Sequence, residues 1–159
     1  MIREMLGIAE GILQDLHNDH REVDALLTEL SDSTEPEVRT QKFAELKTKL
    51  LPHLRAEQEI LYRRLENGVE AESRRFGLEG AGEHRTVEAQ LQNLSRLGDP
   101  MSTQWEAELK ILQDLIDLHV NEEESTGFSC ARAEFDSDQL ERMGEQFQAR
   151  KAELMTQVG

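Results

Sequence analysis

Cysteine is almost absent. Cys130 is the only one in 159 residues, which rules out an internal disulfide and a cysteine-rich metal cluster. Proline occurs three times and aromatics make up 4 % of the chain, a poor supply for the turns and strands of a sandwich or barrel. Positive charge is scarce: 18 Lys and Arg stand against 33 Asp and Glu, for a formal net charge of −15. The acid is spread through the chain rather than gathered in a tail. A surface of that sign repels phosphate backbones and anionic lipid heads, so neither nucleic acid nor membrane is an expected partner. Long apolar runs are missing too. No stretch has the length of a membrane span or a signal peptide, and a cytoplasmic location is expected.

What is plentiful is Leu, Glu, Ala, Gln and Arg, all good helix formers. The length suits one domain, 1–159, with a single core. A first helix is expected over about residues 2–30, with Leu13, Leu16, Val23, Leu27 and Leu30 at alternating spacings of three and four. Pro36 suits the first turn of a second helix, which runs to about Glu66 on a seam of Phe43, Leu46, Leu50 and Ile60. Pro52 inside it should kink the helix or remove a hydrogen bond. Asn67-Gly68 ends that helix, and a Gly-rich connection, with room for a short helical turn, leads to a third over about 82–97. After Gly98-Asp99-Pro100, Ser102 can cap a fourth, which carries Trp105, Leu109, Leu112 and Ile116 and fades near Thr126-Gly127. A last helix over about 137–155 presents Leu140, Met143, Phe147 and Leu154, to pack across the bundle or on a partner. The expected fold is all-α: an up-down-up-down four-helix bundle over about 2–126 with an additional C-terminal helix.

The five histidines are His17, His20, His53, His84 and His119. Extending each seam by its own spacing places His20, His53, Glu57, His84, His119 and Glu123 on core-facing positions. Imidazoles and carboxylates in a bundle core are costly unless paired or bound to metal. Six of them, with at least one on each helix, call for a shared partner. His53 with Glu57 and His119 with Glu123 are i,i+4 pairs, so each presents both side chains on one helix face. That suits an imidazole on one metal and a carboxylate bridging to a second. With 33 acidic residues, one His-x-x-x-Glu carries little weight. Two of them on seam positions, each with a lone histidine on the preceding helix, carry much more. The bland alternative is a set of satisfied core histidines and solvated glutamates.

Other residues are weaker candidates. His17, one turn before His20, and Glu88, at i+4 from His84, stand at seam edges as additional ligands or as surface groups. Tyr62 either lines the pocket or simply packs. Asp19, Glu22, Glu59, Glu122 and Glu124 read as solvated acid. Cys130 reads as an inert thiol beyond the fourth helix, and Trp105 and Phe128 as core.

The segments HNDHREVDALL, HLRAEQEILY, EHRTVEAQL and LHVNEEES resemble the four ligand segments of the hemerythrin-like, or HHE cation-binding, family. The tail DSDQLERMGEQFQARKAEL is similar to the segment after the fourth helix in many bacterial members. The resemblance implies two iron ions bridged by two carboxylates, on His20, His53, Glu57, His84, His119 and Glu123. Oxygen carriers of the family have a second histidine one turn after the third-helix ligand, where this chain has Glu88. Their fourth-helix carboxylate is an aspartate five residues past the histidine, where this chain has Glu123 at four. Counted over that set, with an oxide or hydroxide bridge, both irons keep an open position.

Histidine with carboxylate suits iron or manganese by ligand type, and zinc accepts the same donors. Three functions are expected from this. The first is a non-haem di-iron protein that binds O2, NO or peroxide for sensing or redox defence. The second is an enzyme that decomposes peroxide or oxidises ferrous iron. The third is a structural bundle with zinc or no metal.

Overall fold

A computed structural model describes residues 10–158. Helix α1 spans Ile12–Asp32. Helix α2 spans Pro36–Glu57, passes through a π-helical turn at Gln58–Tyr62 and ends as Arg63–Glu66. Helix α3 is Ala71–Leu97. Helix α4 is Thr103–Glu122, continued by a second π-helical turn at Glu123–Gly127 and by Phe128–Glu134. Helix α5 is Ser137–Val158. No strand occurs among the described residues.

Local chemistry accounts for most of the boundaries. Pro36 opens α2 in its first turn. The Ser102 hydroxyl accepts from Trp105 N–H at 3.1 Å and caps α4. Gly98, at φ 80°, ends α3. Helix α2 runs on through Pro52.

Several boundaries differ from expectation. The expected first-helix residues 2–9 lie outside the described residues, and α1 begins at Ile12, after Gly11 at φ 56°. Helix α3 begins at Ala71, so the Gly-rich stretch is helical rather than a loop. The reason is close packing. A Cβ on Gly77 would stand 2.8 Å from the Tyr62 carbonyl, and one on Gly80 would stand 2.7 Å from the Tyr62 ring. These glycines let α3 approach α2; they do not stop it. Helix α4 does not fade at Thr126-Gly127. The π turn absorbs one extra residue there and the helix goes on, which puts the buried Cys130 inside it.

The apolar side chains form two clusters. One gathers Leu13 and Leu16, Leu61 and Leu65, Phe76, Phe128 and Ala131, with Leu140, Met143 and Phe147 of α5. The other gathers Val23 and Leu27, Phe43, Leu46 and Leu50, Leu91 and Leu94, Trp105 and Leu109. Helices α1, α2, α3 and α4 each contribute side chains to both clusters. Between the clusters every one of these four helices carries polar residues at the same level: His20, His53 with Glu57, His84, and His119 with Glu123. Helix α5 lies on α1 and α2 and closes the first cluster.

Candidate metal centre

All six of these polar side chains are buried, and Glu57 and Glu123 have no exposed surface at all. They fall into two groups of four. His20, His53, Glu57 and Glu123 make one; Glu57, His84, His119 and Glu123 make the other. Within each group one donor atom per residue lies within 4.8 Å of all the others. The two glutamates belong to both groups, so they stand where carboxylates shared by two cations would stand.

The donor atoms converge without satisfying each other. His20 Nε2 lies 3.0 Å from Glu123 Oε1. His84 Nε2 lies 3.1 Å from Glu57 Oε1 and 3.1 Å from His119 Nε2. Yet His20 Nε2, both Glu57 oxygens and Glu123 Oε1 are buried without a hydrogen-bond partner. Buried polar atoms are nearly always paired. Four orphans aimed at one centre fit a cation there, and the donor set fits one of borderline hardness.

The histidines are oriented from outside. His53 Nδ1 donates to Asp19 Oδ2 at 2.8 Å, His20 Nδ1 to Glu124 Oε2 at 2.7 Å, and His119 Nδ1 to Glu83 Oε1 at 2.6 Å. Each bond fixes the ring and, in the neutral imidazole, leaves the Nε2 lone pair facing the centre, as a metal ligand requires. Asp19 is itself held by Lys151 of α5 at 2.8 Å. The ring of Phe147 meets that of His53 edge-on at 5.7 Å. The Tyr62 hydroxyl donates to Glu123 and stands 3.0 Å from His119 Nε2.

The protonation pattern of the metal-free centre follows from burial and charge. Burial, then the Glu123 charge, pushes Glu57 well above the carboxylate range. Burial alone would raise Glu123 too, but the close approach of Glu57, His20 and His119 holds it low. Of the pair, Glu57 is thus the carboxyl driven toward its protonated form and Glu123 the one that keeps its charge. Burial lowers His53 and, more strongly, His84, which keeps both neutral. Burial would also lower His20, but the Glu123 and Glu124 carboxylates beside it outweigh that and raise it to about 9. Asp19 resists burial through His53 and Lys151 and is held well below its usual value.

The hemerythrin HHE cation binding domain matches residues 11–131, three quarters of the chain. The chain belongs to the hemerythrin family. A DNA nickase from Nostoc sp. (strain PCC 7120 / SAG 25.82 / UTEX 2576) is 30% identical over 149 residues, 92% of this chain. The chain spans only 41% of that relative's length. No solved structure gives a significant match.

Within this hemerythrin-like centre the two edge candidates behave differently from the six seam residues. Glu88 does not reach it; its carboxylate points outward and lies 3.5 Å from Arg55 Nε. His17 does not join either group. It is more than a third exposed and donates to Glu124 Oε1 at 2.8 Å. Asp19 and Glu124, expected as solvated acid, are instead the partners of His53 and His20. A signal for Asp19 was present: it sits three residues past Leu16 and four before Val23, so it fits the α1 seam as well as His20 does. Glu83 fits the α3 seam in the same way, four before Val87. Ile60 is only partly buried, because the π turn after Glu57 moves the seam on to Leu61, Tyr62 and Leu65.

The Asp19 link gives an expected result. Asp19→Ala should lower metal affinity by roughly 10- to 100-fold, the usual cost of removing a carboxylate that orients a ligating histidine. Asp19→Asn, which keeps an acceptor for His53, should recover part of the loss. Competition against a chelator of known affinity measures both.

Proposed function

We infer that the chain is one hemerythrin-like domain whose up-down-up-down bundle holds two iron ions. His20 and His53 serve one ion and His84 and His119 the other, with Glu57 and Glu123 shared. The reading is carried by the two four-residue groups that share both glutamates. Bound iron at such a site supplies reversible electron and small-ligand chemistry. The protein's own part is exclusion. Apolar clusters lie on both sides of the polar layer, and none of the six residues is more than 7% exposed. Only a ligand the size of O2, NO or peroxide fits such a centre, and sensing or redox defence in the cytoplasm is the role in keeping with it. Tyr62 stands at the centre with its hydroxyl already committed to Glu123, so it holds that carboxylate in place.

A DNA-cutting role, suggested by the name of the Nostoc relative, draws less support. A phosphodiester could not reach these buried donors, and a chain of net charge −15 repels it. The chain also corresponds to a minor part of that relative.

Elemental analysis of protein from iron-supplemented cells, with an absorption spectrum in air, tests the reading. We expect about two irons per chain, as two shared-carboxylate groups require, and a near-ultraviolet charge-transfer band that responds to NO or peroxide. Sustained peroxide consumption would favour the enzyme over the sensor. Zinc or no metal under those conditions would leave a structural bundle. Nicking of supercoiled plasmid would restore the DNA reading.

A further inference from the structure

The centre is enclosed, so its cations need a way in, and the flanks of the bundle differ in charge. On the α1–α2 flank Lys49 and Lys151 converge on Asp19, and α5 lies across it. On the α2–α3 flank Arg55 lies at Glu88. The α1–α4 flank is different. There a cleft of about 210 Å³ runs inward between the two helices, and His20 forms part of its wall. Asp24 and Asp117 stand on its outer walls, Asn121 carries an amide oxygen beside them, and Glu124 stands with His20. Arg21 is the one opposing charge among the lining residues.

The acidic lining alone would mean little on so acidic a surface. A second observation gives it direction. His20 is more than nine-tenths buried, and its Nε2 has no hydrogen-bond partner. The cleft therefore reaches a donor residue of the centre from outside: Glu124 holds its Nδ1 on the cleft side, and the unpartnered Nε2 lies on the far side of the ring, facing the centre. Glu124 stands at that inner end and spans His17 and His20, with one oxygen on each. Its carboxylate can meet an arriving cation before His20 does.

We propose that the α1–α4 cleft is the port through which divalent cations load the centre, with Asp24 and Asp117 drawing them in and Glu124 passing them to His20. The proposal rests on the di-metal reading of the centre and adds a route to it. Acidic walls on a low-dielectric cleft focus field lines and raise the local cation concentration. Their effect is on the rate of loading and not on the affinity of the loaded centre, because neither aspartate belongs to a ligand group.

Stopped-flow absorbance of Co(II) uptake by the metal-free protein tests this. Asp24→Asn with Asp117→Asn should load about tenfold more slowly at low ionic strength, the lower end of what electrostatic focusing gives. Final Co(II) content should equal that of the wild type. The gap should close in about 1 M salt, where screening acts within a few ångströms. Asp138→Asn with Glu145→Gln on α5 removes the same charge elsewhere and should load at the wild-type rate. Unchanged loading of the first variant overturns the port, and so does equal slowing of the second. Wild-type protein that takes up no metal at all overturns the metal reading and the port together, a result distinct from either.

Discussion

Glu57→Gln should cost the protein both metal ions while leaving the metal-free fold about as stable as before. Glu57 belongs to both donor groups, so its loss removes an anionic ligand from each. A single histidine differs. His84 belongs to one group only, and His84→Ala should leave the His20–His53 half able to hold an ion. The metal-free side of the prediction comes from protonation. Glu57 is fully buried, and burial with the neighbouring Glu123 charge keeps it protonated. Glutamine matches a protonated glutamate in size and charge, so the metal-free protein should barely register the change. The metal-bound wild type gains stability by mass action, about 2.7 kcal/mol when free metal is a hundred times its dissociation constant. The variant should forgo that gain. Elemental analysis and paired thermal melts, with and without metal, read both halves. A variant that still carries two ions would sink the shared-carboxylate reading. One that unfolds when metal-free would show that Glu57 is ionised there and held by a cationic partner.

How far the sequence reached is clearest residue by residue. The three-and-four spacing on each seam put His20, His53, Glu57, His84, His119 and Glu123 inward, and the structure brings those six together. That worked because each helix has one apolar stripe and a polar residue on the stripe is conspicuous. It worked less well at the stripe's edge. Two adjacent positions, such as Asp19 and His20, satisfy the same periodicity, and spacing alone does not say which one faces the metal and which holds the ring. The π turns were not legible at all. Nothing in Gln58–Tyr62 or Glu123–Gly127 marks an extra residue per turn, yet each begins at or just after a shared glutamate and shifts the stripe beyond it. Glycine misled in one direction. At Gly77 and Gly80 its small size serves a close helix contact, and only the partner, Tyr62, reveals that. At Gly98 it does end a helix, and at Gly11 it stands before the start of one, both at positive φ.

Gly11→Ala should be among the most damaging single substitutions in the fold, although Gly11 touches no part of the centre. Two costs add there. Its φ of 56° is a conformation that L side chains avoid, at about 1–2 kcal/mol. A Cβ would also collide with the Leu140 carbonyl oxygen and stand 2.7 Å from Glu141 N, which are backbone atoms that cannot rotate away. Overpacking of this kind costs about 1–3 kcal/mol. The opposing surface offers no slack, because a Cβ on Gly144 of α5 would in turn stand 2.9 Å from Ile12 N. The structure can relieve the clash only by moving α5 off the start of α1. Leu140, Met143 and Phe147, all buried in that contact, would then be exposed in part. The sum is about 2–5 kcal/mol, or a drop in melting temperature of about 5–15 °C for a chain of this size. Gly98→Ala is the control: φ is 80° there but nothing lies within 4 Å, so only the strain remains. The effect should also travel. Phe147 packs on His53, and Lys151 holds the aspartate that orients it, so a loosened α5 releases the His20–His53 half of the centre first. Hydrogen exchange should show α5 opening, and a chelator should remove one ion from the variant faster than the other. Equal melting temperatures for wild type and Gly11→Ala would mean that α5 is not held against α1 in solution. Unequal melting with both ions released together would confine the role of α5 to the core.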